Sequence, residues 1–169
     1  MDISQKAIEL ARRAKIEATV VSLDEDDLPF IDNYFDLVVA FEILEHLFDP
    51  DHVVKEIKRV LRPKGLLIVS MPNLAWWVNR LVLLLGYQPY FTEVSTTSNK
   101  IGKLSVRQPE TVGHLRVWTF RSFREFALFH GLHIVKIDGA AFNGGGAGWV
   151  IFEKMDSLLS AMPSLSSFI

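Results

Sequence analysis

Asp36-Leu37-Val38-Val39-Ala40-Phe41-Glu42-Ile43-Leu44-Glu45-His46-Leu47 is followed, a helix's length later, by Leu61-Arg62-Pro63-Lys64-Gly65-Leu66-Leu67-Ile68-Val69-Ser70-Met71-Pro72-Asn73. Residues 36–41 open on an acid and continue as an unbroken apolar run, the pattern of a strand buried on both faces of a parallel sheet. Residues 51–61 place Val53, Val54, Ile57, Val60 and Leu61 on one helical stripe. Pro63 and Gly65 are expected to end that helix and turn the chain into a second strand over residues 66–70. Strand, helix and strand in this order predict a right-handed parallel crossover and an α/β fold.

Upstream, Ser4 is placed to cap a helix carrying Ala7, Ile8 and Ala11, and the β-rich residues 18–23 read as a strand. Downstream, residues 74–86 are apolar but interrupted by Asn79 and Arg80, and too short to cross a bilayer. They read as a cap helix, with an interfacial membrane helix as the alternative. Residues 87–113 are polar and irregular over a length typical of lids and binding loops. Residues 74–118 together are expected to form a lid and substrate region inside one domain, 1–169. Residues 119–129 carry Phe120, Phe123, Phe126 and Ala127 on one helical face, Gly131 stops that helix, residues 133–137 alternate like a strand, and residues 150–159 read as a helix.

The 169 residues are 49% hydrophobic and 22% charged, the balance of a globular domain. A net charge of −2 gives no electrostatic case for a nucleic-acid partner. The absence of cysteine excludes disulfides and thiolate zinc sites, and the first residues carry no apolar leader, so a cytoplasmic protein without a transmembrane segment is expected.

Three phrases add specificity: Asp24-Glu25-Asp26-Asp27-Leu28-Pro29-Phe30, Asp32-Asn33-Tyr34-Phe35-Asp36, and Leu61-Arg62-Pro63-Lys64-Gly65. Together they resemble the middle of a class I S-adenosylmethionine (SAM) dependent methyltransferase. The resemblance implies a Rossmann-like doubly wound sheet, SAM as cofactor, and methyl transfer to a small-molecule acceptor, with oxygen the expected acceptor atom. It assigns the ribose hydroxyls of the cofactor to Asp2, whose two carboxylate oxygens match a vicinal diol. It gives the adenine amino group to Asp24 with Glu25 beside it, and further cofactor contacts to Phe41 and Glu42. Asn73, Trp76 and Arg116 are expected on the substrate side, where aromatics suit either core or substrate wall.

Glu42, Glu45 and His46 are spaced to share one face if the chain turns helical on leaving the strand. They lie at the carboxyl end of a parallel strand, where α/β sites form. Two carboxylates and an imidazole suit a divalent metal such as Mg²⁺ or Mn²⁺. The pattern resembles the metal motif of ubiquinone-pathway O-methyltransferases and of small-RNA 2′-O-methyltransferases, in which a distant histidine completes the shell; His114 occupies the matching segment. The alternative is a metal-free turn that packs the cofactor, with His46 and His114 lining the substrate pocket as catalytic residues. A metal shell requires the ligating atoms to lie within about 5 Å of one another. His52, His130 and His133 read as surface or satisfied structural residues.

The glycine loop that opens this family's domain is missing, the first glycine of the chain being Gly65. The chain is therefore expected to be a fragment that holds SAM weakly. Gly144-Gly145-Gly146-Ala147-Gly148 imitates such a loop but reads as a linker. The strand at residues 36–41 is expected to have an unpaired edge open to self-association. The rival function is a methyltransferase-fold remnant that binds no cofactor.

Overall fold

The computed structural model describes residues 1–105, 110–141 and 150–169, and of residues 150–153 the backbone only. The glycine cluster at 144–148 lies outside the described residues. Helix α1 (Gln5–Arg13) starts as expected, the Ser4 Oγ accepting the Ala7 N–H at 3.3 Å, and Arg12 and Arg13 occupy its last turn, where a cation complements the helix dipole. Helix α2 (Pro50–Val60) is capped by Asp49, which accepts the His52 N–H at 3.0 Å, and buries the expected stripe of Val53, Val54, Ile57 and Val60.

Strands β1 (Phe35–Phe41) and β2 (Leu61–Ser70) flank α2 in sequence and pair with each other. Tyr34 donates to Val60 O and Glu42 to Ser70 O, so partner numbers climb together and the pair is parallel. The strand begins at Leu61, five residues earlier than expected, because Lys64 takes up the turn at φ 70° inside it. Gly65 follows where a Cβ would lie 2.9 Å from Arg62 O, a contact that only glycine avoids.

Three expectations are corrected. Residues 18–23 contribute one parallel bridge, Asp2 to Val20, and residues 133–137 none, although Ala140 bridges antiparallel to Phe168. Alternation marks a segment able to pair, and a ladder also needs a neighbouring strand. Phe168 bridges antiparallel to Pro72 as well as to Ala140. β1, expected to be buried on both faces, leaves Leu37, Val39 and Phe41 about half exposed. Among the described residues it pairs with β2 alone, so its other edge is unpaired.

The chain divides into two compact units: Met1–Val39 with Leu47–Ile68, and Ala40–His46 with Val69–Ile169. The first holds a part-buried ion pair, Glu56 buried and Arg59 half-buried. Arg59 donates to both carboxylate oxygens of Glu56, Oε1 at 2.8 Å and Oε2 at 2.7 Å, and the Leu28 N–H donates to Oε2 at 2.8 Å. The second contains α3 (Trp77–Leu84), α4 (Phe120–Phe129) and α5 (Val150–Ser160), with Leu44, Met71, Trp76 and Val82 in its core. Thr119 and Ser122 form a reciprocal capping box at the start of α4. No helix among the described residues is long and apolar enough to cross a membrane.

Candidate functional site

β1 ends at Phe41, and the next residue, Glu42, takes a left-handed backbone at φ 51°. The chain then makes a single 3₁₀ turn, Leu44–His46, closed by the His46 N–H on Ile43 O at 3.0 Å. This is not the regular helical face expected for Glu42, Glu45 and His46. Glu42 holds this strained position with its Oε1 accepting the Ser70 hydroxyl at 2.9 Å, close enough to Glu45 for the two carboxylates to repel.

Glu45 points inward and is 1% exposed. Neither of its carboxylate oxygens has a hydrogen-bond partner among the described residues. Burial pushes its carboxyl up to about 7, and the Glu42 carboxylate adds to the rise. The backbone carbonyl of Glu45 accepts the N–H groups of both Leu115 and Arg116, at 2.8 and 2.9 Å. That double bond fastens the segment carrying His114 beside the turn carrying Glu45 and His46, 68 positions apart from histidine to histidine.

The ligand atoms of Glu45, His46 and His114 lie within 4.8 Å of one another, and the two imidazole rings are 4.9 Å apart. Both rings have a defined tautomer. His46 Nδ1 lies 3.1 Å from Gly113 O and His114 Nδ1 lies 2.9 Å from Phe91 O. A carbonyl oxygen only accepts, so each Nδ1 carries the proton and each Nε2 keeps its lone pair. Burial holds the His114 imidazole below its usual range, with the nearby His46 acting in the same direction, which favours the neutral ring. Two imidazoles whose Nε2 atoms face the cluster and a buried carboxylate lacking donors among the described residues form a set that can hold a divalent cation or take a proton. Glu42, expected as a fourth ligand, is not part of this set.

A shallow recess beside the cluster is lined by Glu45, Pro72, Leu74, Phe91, His114 and Arg116. Arg116, expected on the substrate side, is one of these lining residues. Trp76 and Asn73 are more deeply set. The Trp76 indole N–H donates to Asp156 at 2.6 Å, while its ring lies 5.9 Å from that of Phe91. Asn73 is fully buried, donating to Pro163 O and Ser166 O and accepting from the Ala75 N–H.

Of the expected cofactor residues, Asp2 and Asp24 belong to the first unit and Phe41 and Glu42 to the second. Asp2 Oδ1 accepts the Ser4 N–H, and Asp24 Oδ1 accepts those of Phe48 and Asp49 at 2.8 and 3.0 Å. Each carboxylate is thus oriented through Oδ1. Glu25 and Phe41 are exposed. His52 and His133 lie outside the cluster, and His130 packs on Phe126 with ring centres 4.6 Å apart.

Sequence reasoning missed Phe91, Glu93 and Asp156. Each acts on a partner about 20 or more positions away, and no local spacing announces such a pair.

Residues 1–69 match the profile of the methyltransferase domain family. A probable SAM-dependent methyltransferase of Mycobacterium tuberculosis is 38% identical over 73 residues, 43% of this chain and 27% of that protein. The ubiquinone/menaquinone biosynthesis C-methyltransferase UbiE of Serratia proteamaculans is 36% identical over 98 residues, 56% of this chain and 36% of that protein. The aligned stretches thus span about a third or less of these curated relatives. In fold, a SAM-dependent methyltransferase of Thermotoga maritima superposes with a TM-score of 0.59 at 18% identity, covering 83% of this chain and 57% of that one. Over residues 1–69 the chain is thus similar to the methyltransferase domain family, and its fold is the Rossmann-like α/β fold of these methyltransferase structures, with a sheet of one parallel pair among the described residues.

Proposed function

We propose that the whole protein transfers a methyl group from SAM to a hydroxyl of a small-molecule acceptor, with Glu45, His46 and His114 at the acceptor end. The convergence of these three residues from segments far apart in sequence carries the reading. Methyl transfer from a sulfonium needs the nucleophile held in line and, for a hydroxyl, relieved of its proton. Without an ion at the cluster, the Nε2 lone pairs of His46 and His114 supply acceptors for that proton; with one bound, those lone pairs are ligands and the proton leaves to solvent. A divalent cation held by Glu45, His46 and His114 would acidify the hydroxyl, and two nitrogen donors with one oxygen suit Mn²⁺ better than Mg²⁺.

On this reading Asp2, Asp24 and Glu25 serve the ribose and adenine of the cofactor, and Phe41 and Glu42 flank it. Arg116 offers a cation to a negatively charged acceptor, while Trp76 and Asn73 support the wall behind the recess. Radiolabelled methyl transfer by the whole protein across phenol, hydroxy-acid and amine acceptors tests the assignment. Labelled oxygen acceptors are expected, with a loss of about a hundredfold in kcat for His114→Ala. Labelling of amines alone, or an unchanged rate in His114→Ala, would contradict it.

A further inference from the structure

His114 sits on a segment, residues 111–117, that forms no helix and only one isolated bridging contact, through Asn73 and Trp118 at its far end. A site residue on such a segment needs an explicit brace, because its backbone lacks the ladder bonds that fix an element. On the far side of His114 the brace is the Glu45 carbonyl described above. On the near side it is Glu93, whose Oε1 accepts the Val112 N–H at 2.6 Å and whose Oε2 accepts the Gly113 N–H at 2.9 Å. Each carboxylate oxygen takes one backbone donor.

The Gly113 peptide is therefore held at both polar ends, its N–H by Glu93 and its carbonyl by the His46 ring. Gly113 has φ 84°, the left-handed backbone that this arrangement requires. Two residues before Glu93, Phe91 is also left-handed at φ 69°, and its carbonyl receives the His114 Nδ1–H. One short stretch, residues 91–93, thus fixes both the backbone and the ring of His114. A strained residue, Phe91, and a glycine in the left-handed region, Gly113, converging on one imidazole are what a pre-organised site contains.

We propose that Glu93 is the positioning residue of this site, its carboxylate acting through the Val112 and Gly113 N–H groups to hold His114 against Glu45 and His46. This rests on the reading of that cluster as the acceptor and cation site. The state of Glu93 agrees with the role. Burial acts against its charge, but the two backbone donors, with His114 and Lys103 nearby, hold the carboxyl below its usual range. It remains an acceptor throughout the neutral range. Glutamine in its place keeps one acceptor oxygen and turns an NH₂ toward the second N–H, so one half of the brace becomes repulsive.

The test compares the 169-residue chain with Glu93→Gln and Glu93→Ala. Imidazole ¹⁵N spectra of the metal-free proteins at pH 8 read the His114 tautomer, calorimetry reads Mn²⁺ affinity, and thermal unfolding reads stability. The expected result is one Nδ1–H tautomer in the parent chain and a mixture in both variants, with Mn²⁺ affinity lowered about 10- to 100-fold. A His114 tautomer unchanged in the variants overturns the proposal, even where the thermal midpoint falls, since Glu93 would then serve stability alone. Should Glu93→Ala not fold, Glu93→Gln decides. A parent chain that binds no Mn²⁺ defeats the cation reading, and the tautomer comparison still decides the role of Glu93.

Discussion

At Glu45 a carboxyl group lies in the interior without a hydrogen-bond partner among the described residues, and its affinity for a proton follows from that placement. Its ordinary value of 4.5 applies in the unfolded chain, whereas the folded chain keeps the proton up to about pH 7. Below pH 4.5 both states are protonated and Glu45 has no effect on stability. Between those values only the unfolded chain releases the proton, so stability falls as pH rises, and above pH 7 the whole penalty is present. The penalty is on the order of 3 kcal/mol. Urea unfolding in chelator at pH 5 and pH 8 should therefore show a loss that Glu45→Gln removes. An equal pH dependence in the variant would mean that the carboxyl is not held in that environment. The residue types at this site were legible, since Glu45, His46 and His114 stood out by spacing and by resemblance. Their geometry was not, because the left-handed Glu42 that turns the chain belongs to no periodic pattern.

At the scale of elements, the helices followed most directly from the sequence. Capping side chains and apolar stripes are local signals, so α1, α2 and α4 begin within a residue or two of where Ser4, Asp51 and Thr119 indicate. Strands were read less well, since residues 18–23 and 133–137 have the composition to pair but meet only isolated partners or none. α5 shows a third case, an element located by its sequence but anchored by a contact that its sequence does not reveal. Asp156 on α5 is fully buried, and its Oδ1 accepts the indole N–H groups of Trp76 at 2.6 Å and Trp77 at 2.9 Å. Asp156→Ala leaves the buried Trp76 donor and the part-buried Trp77 donor without this acceptor and should cost about 3 kcal/mol in denaturant unfolding. Asp156→Asn retains an acceptor oxygen and should cost less than half as much. Equal losses in the two variants would show that packing volume, rather than the indole bonds, anchors the helix.

For the whole molecule, the methyltransferase profile covers residues 1–69 and so includes Glu45 and His46 but not His114. The third member of the cluster comes from the part of the chain where that profile has ended, brought in by the Glu45 carbonyl and braced by Glu93. The region similar to the methyltransferase domain holds the strand and the turn at its end. What that turn does depends on a contact 68 positions further on. The measurement that tests this most directly is calorimetric titration of Mn²⁺ into the 169-residue chain and into Glu45→Ala, at pH 8 and pH 6. Saturable binding of one ion is expected in the parent chain, weaker at pH 6 because a proton then competes for Glu45, and weakened at least tenfold in the variant at pH 8. Absence of binding in the parent chain, or equal binding in the variant, would contradict the claim that Glu45, His46 and His114 form a cation site.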